Sequence, residues 1–331
     1  MNSHAVLFRP LTKTVRNTMK RTGFAQPAGR LWIVLVSLSV WVASCASPGG
    51  KNVPPQETTT SGTIHISVDE SFKPVIDSQI KVFESQHPDA HVIVQYKPEA
   101  DCLRDLNVDS VRMVIVTRGL SDAEEETLTK KLSFKPAFGT IAYDAIAVIV
   151  NNQVKDTLFN MQDIRSMVKG TSGYKYKVLL DGKSATSTVR FVVDSLLKGA
   201  PLSPNVVAAP NTEGVIDYVS KNQDAIGMLG VSWVGNKDDT MQLSFLKKIK
   251  IAQIECKGCN GKYVDPVQYN IAYDRYPMIR PLVYILKENY DGLGNGFANF
   301  LIYEKGQKIF YRDYLLPARM RLDQRNMQIS Q

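Results

Sequence analysis

The stretch Gly139–Asn152, GTIAYDAIAVIVNN, decides how the rest of the chain is read. Its Ile146–Val150 segment is a short run of β-branched and small apolar residues that ends in polar Asn151 and Asn152. A run this short, rich in β formers and closed by turn formers, predicts a buried strand rather than a helix. A β/α segment precedes it, and a second one of different composition follows. Two arrangements fit. The strand crosses between two α/β lobes, with a ligand in the crevice between them, or it is one more core strand of a single large domain.

A length of 331 residues admits two domains of ordinary size. Hydrophobic residues make up 44% and charged residues 22%, the balance of a globular protein with a sizeable core. The first 44 residues differ: they hold six basic residues (Arg9, Lys13, Arg16, Lys20, Arg21, Arg30) and no Asp or Glu. Leu31–Ala43, LWIVLVSLSVWVA, is then almost wholly apolar. It falls short of the ~20 apolar residues that span a bilayer but fits the apolar region of a signal peptide. It runs into Val42-Ala43-Ser44-Cys45, which resembles the lipobox of bacterial lipoproteins, where the leader is cut before the cysteine and the thiol is lipidated. Met19, followed by Lys20 and Arg21, would begin an ordinary compact signal peptide and is the expected true start. Without the leader, 34 basic and 32 acidic residues remain, so the mature net charge is +2 rather than +8. No basic patch interleaved with aromatics is left to argue for a nucleic-acid partner. Ala46–Ser61 is rich in Pro, Gly, Ser and Thr and reads as a flexible tether, with folded structure expected from Gly62.

The folded part alternates strands and helices. Thr63–Val68 reads as a strand, followed by Asp69-Glu70-Ser71-Phe72 and a helix with Pro74 in its first turn. A strand, a short polar loop and a helix start form a natural anion site, because free N–H groups and the positive dipole end face the loop. His91–Tyr96 and Val111–Val116 are further strands, the latter followed by Arg118 and a helix start at Ser121-Asp122-Ala123-Glu124. Beyond Asn152 come an amphipathic helix within Val154–Gly170, a strand at Val178–Leu180, and Asp181–Arg190, DGKSATSTVR. Thr186-Ser187-Thr188 carries more hydroxyls than an N-cap requires and offers the donors an oxyanion needs. Ala225–Gly230 is a Gly-punctuated strand and Ile249–Ile254 the natural return crossing. Leu282–Leu286 reads as a strand, Gly292–Gly306 as one long helix, and a last helix ends at Leu315-Leu316-Pro317.

Four cysteines are present: Cys45, Cys102, Cys256 and Cys259. Cys256-Lys-Gly-Cys259 lacks the second Cys or His pair of a zinc site and the βαβ context of a redox motif. A loop-stapling disulfide or two idle thiols remain as readings.

The ESF loop after the first strand, YDAIAVIVNN, the hydroxyl-rich helix start before VRFVVDSLL, AIGMLGVSW and YPMIRPLVYIL follow one another in an order and spacing that resembles a known family. The chain is similar to the lipoprotein form of the periplasmic phosphate-binding proteins of ABC transporters, over about Thr63–Pro317. The resemblance implies an α/β, two-lobed type II periplasmic-binding-protein fold with two hinge crossings and one inorganic phosphate between the lobes. It divides the chain into a leader (1–44), lipidated Cys45 and tether (45–61), a first lobe (62–147), a second lobe (148–248), and a return crossing with the rest of the first lobe (249–331). Carried over by position, Ser71, Phe72, Thr186, Ser187 and Thr188 bind phosphate, with Glu70 beside them; Ser187 stands where the family usually has Gly. The family's pocket cation has no match just upstream of Thr186, so Arg118 and Lys183 are the candidates. The expected partners are phosphate, an inner-membrane ABC permease, and a membrane held through the lipid on Cys45. The expected protein is monomeric, lies on the periplasmic side of the envelope, and uses no metal or cofactor.

Desolvating a charged oxyanion costs several kcal/mol, whereas a helix terminus returns roughly 0.3–2 kcal/mol. Several charge-assisted hydrogen bonds are therefore required. A pocket carboxylate that accepts the proton of phosphate would reject sulfate by setting two anions face to face; Glu70, Glu99, Asp101 and Asp144 are candidates, each also readable as a cap or solvated acid. Two functions of different class fit: phosphate capture for transport, with capture or sensing of another oxyanion as its variant, and a lipid-anchored phosphohydrolase on the same loops. The hydrolase needs a metal cluster or an activated nucleophile. No G-x-S-x-G, H-E-x-x-H or paired-carboxylate spacing occurs, and His65, His87 and His91 are the histidines left beyond the leader, so a binding protein is expected rather than an enzyme.

Overall fold

The computed structural model describes residues 57–173, 176–182 and 186–320. The expected leader, the Met19 start, Cys45, most of the tether and Lys183 lie outside the described residues. Regular structure begins slightly before Gly62. Thr58 and Ser61 form a bridged turn, and Glu57 Oε1 accepts the N–H of Leu293 at 2.8 Å and pairs with Arg112 Nη1 at 2.7 Å.

The strands are β1 (Gly62–Asp69), β2 (Ala90–Lys97), β3 (Val111–Val116), β4 (Ala137–Asn151), β5 (Leu158–Phe159), β6 (Lys177–Asp181), β7 (Val206–Ala209), β8 (Ala225–Gly230), β9 (Ile249–Ile251), β10 (Gln253–Glu255), β11 (Tyr263–Val264), β12 (Ile279–Leu286) and β13 (Leu316–Pro317). The helices are α1 (Lys73–Gln86), α2 (Glu99–Arg104), α3 (Asp122–Leu132), α4 (Met161–Lys169), α5 (Ser187–Phe191), α6 (Thr212–Lys221), α7 (Thr240–Leu246), α8 (Gln268–Ala272), α9 (Leu293–Ile302) and α10 (Glu304–Arg312). The main sheet runs β2-β1-β3-β12-β4-β8-β6-β7, with β9 and β13 also on β4; β11-β10-β5 form a small second sheet.

β4 is the seam of the molecule. Its residues Ala137–Ala145 pair with β12, and Ile146–Val150 pair with β8, so the chain passes from one half of the sheet to the other at Ala145–Ile146. Burial on both faces explains the unbroken apolar run. Val148 and Val150 enter one core cluster, and Ala147 and Ile149 the opposite one. β3 repeats this in the first lobe, with Met113 and Ile115 on one face and Val114 and Val116 on the other. Strands covered on both faces read as continuous hydrophobic stretches.

Three local expectations change. The return to the first lobe comes later than Ile249–Ile254. β9 pairs with the second-lobe part of β4, and Ile254, Ile271, Tyr276 and Met278 all pack in the second-lobe core. Tyr276 Oη donates to Ile146 O at 2.8 Å, and the chain re-enters the first lobe only with β12. The insert contains the loop in which Cys256 and Cys259 are joined as a disulfide. The expected long helix over 292–306 is two helices, α9 and α10, parted at Tyr303, whose backbone is extended. Gly306 permits the packing at this break, since a Cβ there would lie 2.3 Å from Phe300 O.

The strand expected at Leu282 begins three residues earlier and includes Pro281. Proline is tolerated because β3 pairs only with Val283–Leu286, leaving the β3 side of Pro281 without a ladder. This extension carries Arg280 into the sheet.

Candidate functional site

The ends of β1 and β6 face each other across the lobes. β1 stops at Asp69, and its side chain caps the turn Glu70–Phe72 by accepting the N–H of Ser71 at 3.0 Å. Pro74 then fixes the start of α1. β6 stops at Asp181, and Thr186 caps α5 by accepting the N–H of Val189 at 3.2 Å. Both loops follow the carboxyl ends of parallel strands, where α/β sheets place their ligands. α5 passes directly into a π-helical turn, Val192–Leu196, a feature frequent at functional sites.

Between the loops lies Arg280, 3% exposed. It stands directly opposite Asp144 on the antiparallel β4. Its Nε donates to Asp144 Oδ2 at 2.9 Å, and its Nη1 donates to Ser187 Oγ at 2.7 Å and Thr188 Oγ1 at 3.1 Å. The guanidinium carbon lies 4.8 Å from the centre of the Phe72 ring. Nη2 lies 2.8 Å from Asp144 Oδ2 but makes no well-directed hydrogen bond, so it retains donor capacity. Ser187 and Thr188 accept from Arg280 and keep their own O–H groups to donate. Burial works against the charge on Arg280, but Asp144, Asp69 and Asp181 outweigh it and hold the group protonated. Burial likewise raises Asp144, against the pull of Arg280.

Further contacts join the lobes here. Ser71 Oγ donates to Asp181 Oδ2 at 2.8 Å, Ser187 N donates to Asp69 Oδ2 at 3.2 Å, and Trp233 Nε1 donates to Ser71 O at 2.8 Å. On one flank Arg190 Nε donates to Glu99 Oε2 at 2.5 Å and its Nη2 to Thr117 Oγ1 at 2.6 Å. Thr117 donates both N–H and hydroxyl to Glu99 Oε1. Burial raises Glu99, but the bonds from Arg190 and Thr117 win and hold it below the usual range.

Ser71, Phe72, Thr186, Ser187 and Thr188 are thus brought together and buried. Glu70 is half-buried beside them, pushed up to about 7 by burial and by Asp181, Asp69 and Glu213. Arg118 is not brought in: Nη1 and Nη2 donate to Glu124 at 2.7 and 2.8 Å, because the capping box of α3 turns that carboxylate toward it. Lys183 lies outside the described residues. Of the candidate proton acceptors, Glu99 is held by Arg190, Asp144 by Arg280, and Asp101 pairs with Arg104 at the surface. Sequence reasoning missed Arg280, Asp69, Asp181 and Arg190. Arg280 falls just before the strand expected at Leu282, and Asp69 and Asp181 read as loop residues where each in fact ends a strand. Hollows also lie elsewhere among the described residues. One of about 720 Å³ is lined by Thr157, Val234, Lys250 and Tyr314, but its charged side chains, Lys237, Lys250 and Asp265, are all exposed.

The PBP superfamily domain model matches residues 53–305. A curated relative, phosphate-binding protein PstS of Pseudomonas aeruginosa, is 21% identical over 259 residues, covering 71% of this chain and 76% of its own length. A Clostridium perfringens structure, described as a phosphate ABC transporter substrate-binding protein with bound phosphate, superposes with a TM-score of 0.64 at 18% identity, over 78% of this chain and 100% of the other. An ABC-type phosphate transport receptor from Vibrio cholerae gives 0.57 at 20% identity, over 77% and 100%. The two-lobed α/β architecture is that of the type II periplasmic-binding fold. With its domain model spanning most of the folded chain, this protein belongs to the PBP superfamily.

Proposed function

We propose that the chain is an extracytoplasmic lipoprotein that binds inorganic phosphate between its lobes and delivers it to an ABC permease. The observation that carries this reading is the buried Arg280, bonded to Ser187 and Thr188 and set against the Phe72 ring, with donor capacity left on Nη2 and on those two hydroxyls. The similarity to phosphate-binding relatives supports the choice of anion. Ser71, Phe72, Thr186, Ser187, Thr188 and Arg280 form the binding set, with Glu70 at its edge. The donors come from both lobes, so an anion between them favours closure. The site acts by binding, not hydrolysis: Thr186 Oγ1 is engaged with Asp181 O at 2.9 Å and with the N–H of Val189, and Ser187 and Thr188 face a cation rather than a base.

Calorimetric titration with phosphate and with sulfate tests this. One-to-one phosphate binding that is lost in R280Q supports it; phosphate heats no larger than sulfate heats would remove it. Acylation of Cys45 is checked by mass spectrometry of the mature N-terminal peptide, which should carry lipid and lose it in C45S.

A further inference from the structure

Asp69 and Asp181 hold matching places in the two lobes. Each ends a parallel strand, and each reaches across to a donor of the opposite lobe: Asp69 to the N–H of Ser187, Asp181 to the hydroxyl of Ser71. Each also holds its own loop. Asp69 Oδ1 accepts Ser71 N, and Thr186 Oγ1 donates to Asp181 O at 2.9 Å and lies 3.3 Å from its Oδ1. Two groups placed to donate to an anion, the Ser187 N–H and the Ser71 hydroxyl, therefore already have carboxylates of the chain as acceptors. A second observation marks the same spot as a ligand site: Arg280 Nη2 is buried there without a directed acceptor.

We propose that Asp69 and Asp181 are built-in acceptors on the phosphate donors, and that phosphate takes those donors over from them with uptake of a proton by the cleft. This rests on the phosphate reading above and adds the form in which the anion is accepted.

The charge balance requires the proton. Asp69, Asp144, Asp181 and Glu99 are all buried, and they face Arg280 from β12 and Arg190 from α5. Glu70 beside Asp69 and Glu213 on α6 add negative charge at the edge. Four carboxylates against two guanidinium groups cannot also take a phosphate dianion cheaply, because like charges at low dielectric repel strongly. One proton, carried in on monobasic phosphate or taken from solvent, moves onto a cleft carboxyl and removes one repelling charge. Asp69 is the best-placed acceptor. Burial pushes it up to about 6, against the pull of Arg280 and with the push of Glu99. Once protonated it releases Ser187 N to phosphate.

The test is calorimetry of the purified chain with inorganic phosphate at about pH 8, in two buffers of different ionisation heat, for wild type, D69N and D181N. Wild type should take up about one proton per phosphate, and its affinity should fall by roughly tenfold per pH unit above neutrality. D69N should take up distinctly less and bind at least ~10-fold tighter at pH 8, the cost of protonation being gone; D181N should also tighten binding. Phosphate binding with the same proton count in all three proteins, or weaker binding by both folded variants, overturns the proposal and leaves the phosphate function standing. Binding by the variants but not by wild type supports it. No binding by any of the three, each with an intact melting transition, removes the phosphate reading and this proposal together. If neither variant folds, wild type decides alone: no proton uptake at pH 8 overturns it.

Discussion

Asp144 and Arg280 lie opposite each other on β4 and β12, one residue before β4 leaves the first lobe for the second. The guanidinium is thus fixed at the seam and fans toward α5 of the other lobe. Truncating one partner of a buried pair strands the other charge, at about 3–5 kcal/mol. R280Q should therefore melt well below wild type, and D144N/R280Q should regain most of that stability without regaining phosphate binding. Melting curves read beside phosphate titrations check this. Binding by the double variant equal to wild type would show that Arg280 is structural only.

Asp69 makes stability depend on pH. Its folded value of about 6 lies above the ordinary 3.8, so its contribution is full below about 4 and lost as pH rises through 6. The loss is on the order of 3 kcal/mol for so buried a group. Denaturant unfolding at pH 5 and pH 7.5 should show D69N gaining on wild type as pH rises. A constant difference between the two proteins would contradict this origin.

Arg190 clasps Glu99 and Thr117 across the lobes, with its side chain 32% exposed and that of Glu99 1% exposed. R190A should cost about 2–3 kcal/mol, less than a fully enclosed pair because water screens the arginine side. It should also speed phosphate release, since the clasp favours the closed arrangement. Stopped-flow release rates equal to wild type would limit the pair to stability.

Gly230 makes room for the Asp144–Arg280 pair. A Cβ there would lie 3.0 Å from both Arg280 Nη2 and Asp144 Oδ2. The backbone of Gly230 has φ −65°, which any residue adopts, so the effect of G230A is crowding alone. It should cost about 1–3 kcal/mol and weaken phosphate binding by displacing the guanidinium. A variant that melts and binds like wild type would show that the pair moves aside freely.

Ile146–Val150 declares a strand buried on both faces because its apolar run has no solvent face to record. Asp69-Glu70-Ser71-Phe72 and Thr186-Ser187-Thr188 declare polar loops at helix starts, since capping is a matter of neighbouring residues. Those local rules carried the alternation of strands and helices, while the crossing at β4 and the residues expected between the lobes came from the resemblance to a family. Tertiary structure alone decided which charges meet there. Arg280 is 93 positions from Ser187 and 136 from Asp144, and Asp69 is 118 from Ser187, so no local pattern links them. The strand expected from Leu282 extends back through Pro281, which is absorbed because β3 stops short of it. Arg118 looks free in the sequence and is claimed by the capping glutamate of the helix that follows it. The chain determines where loops form by short-range hydrogen bonding and hydrophobic spacing. Which buried charges pair depends on how strands distant in sequence lie side by side, and that is settled only when the sheet is assembled.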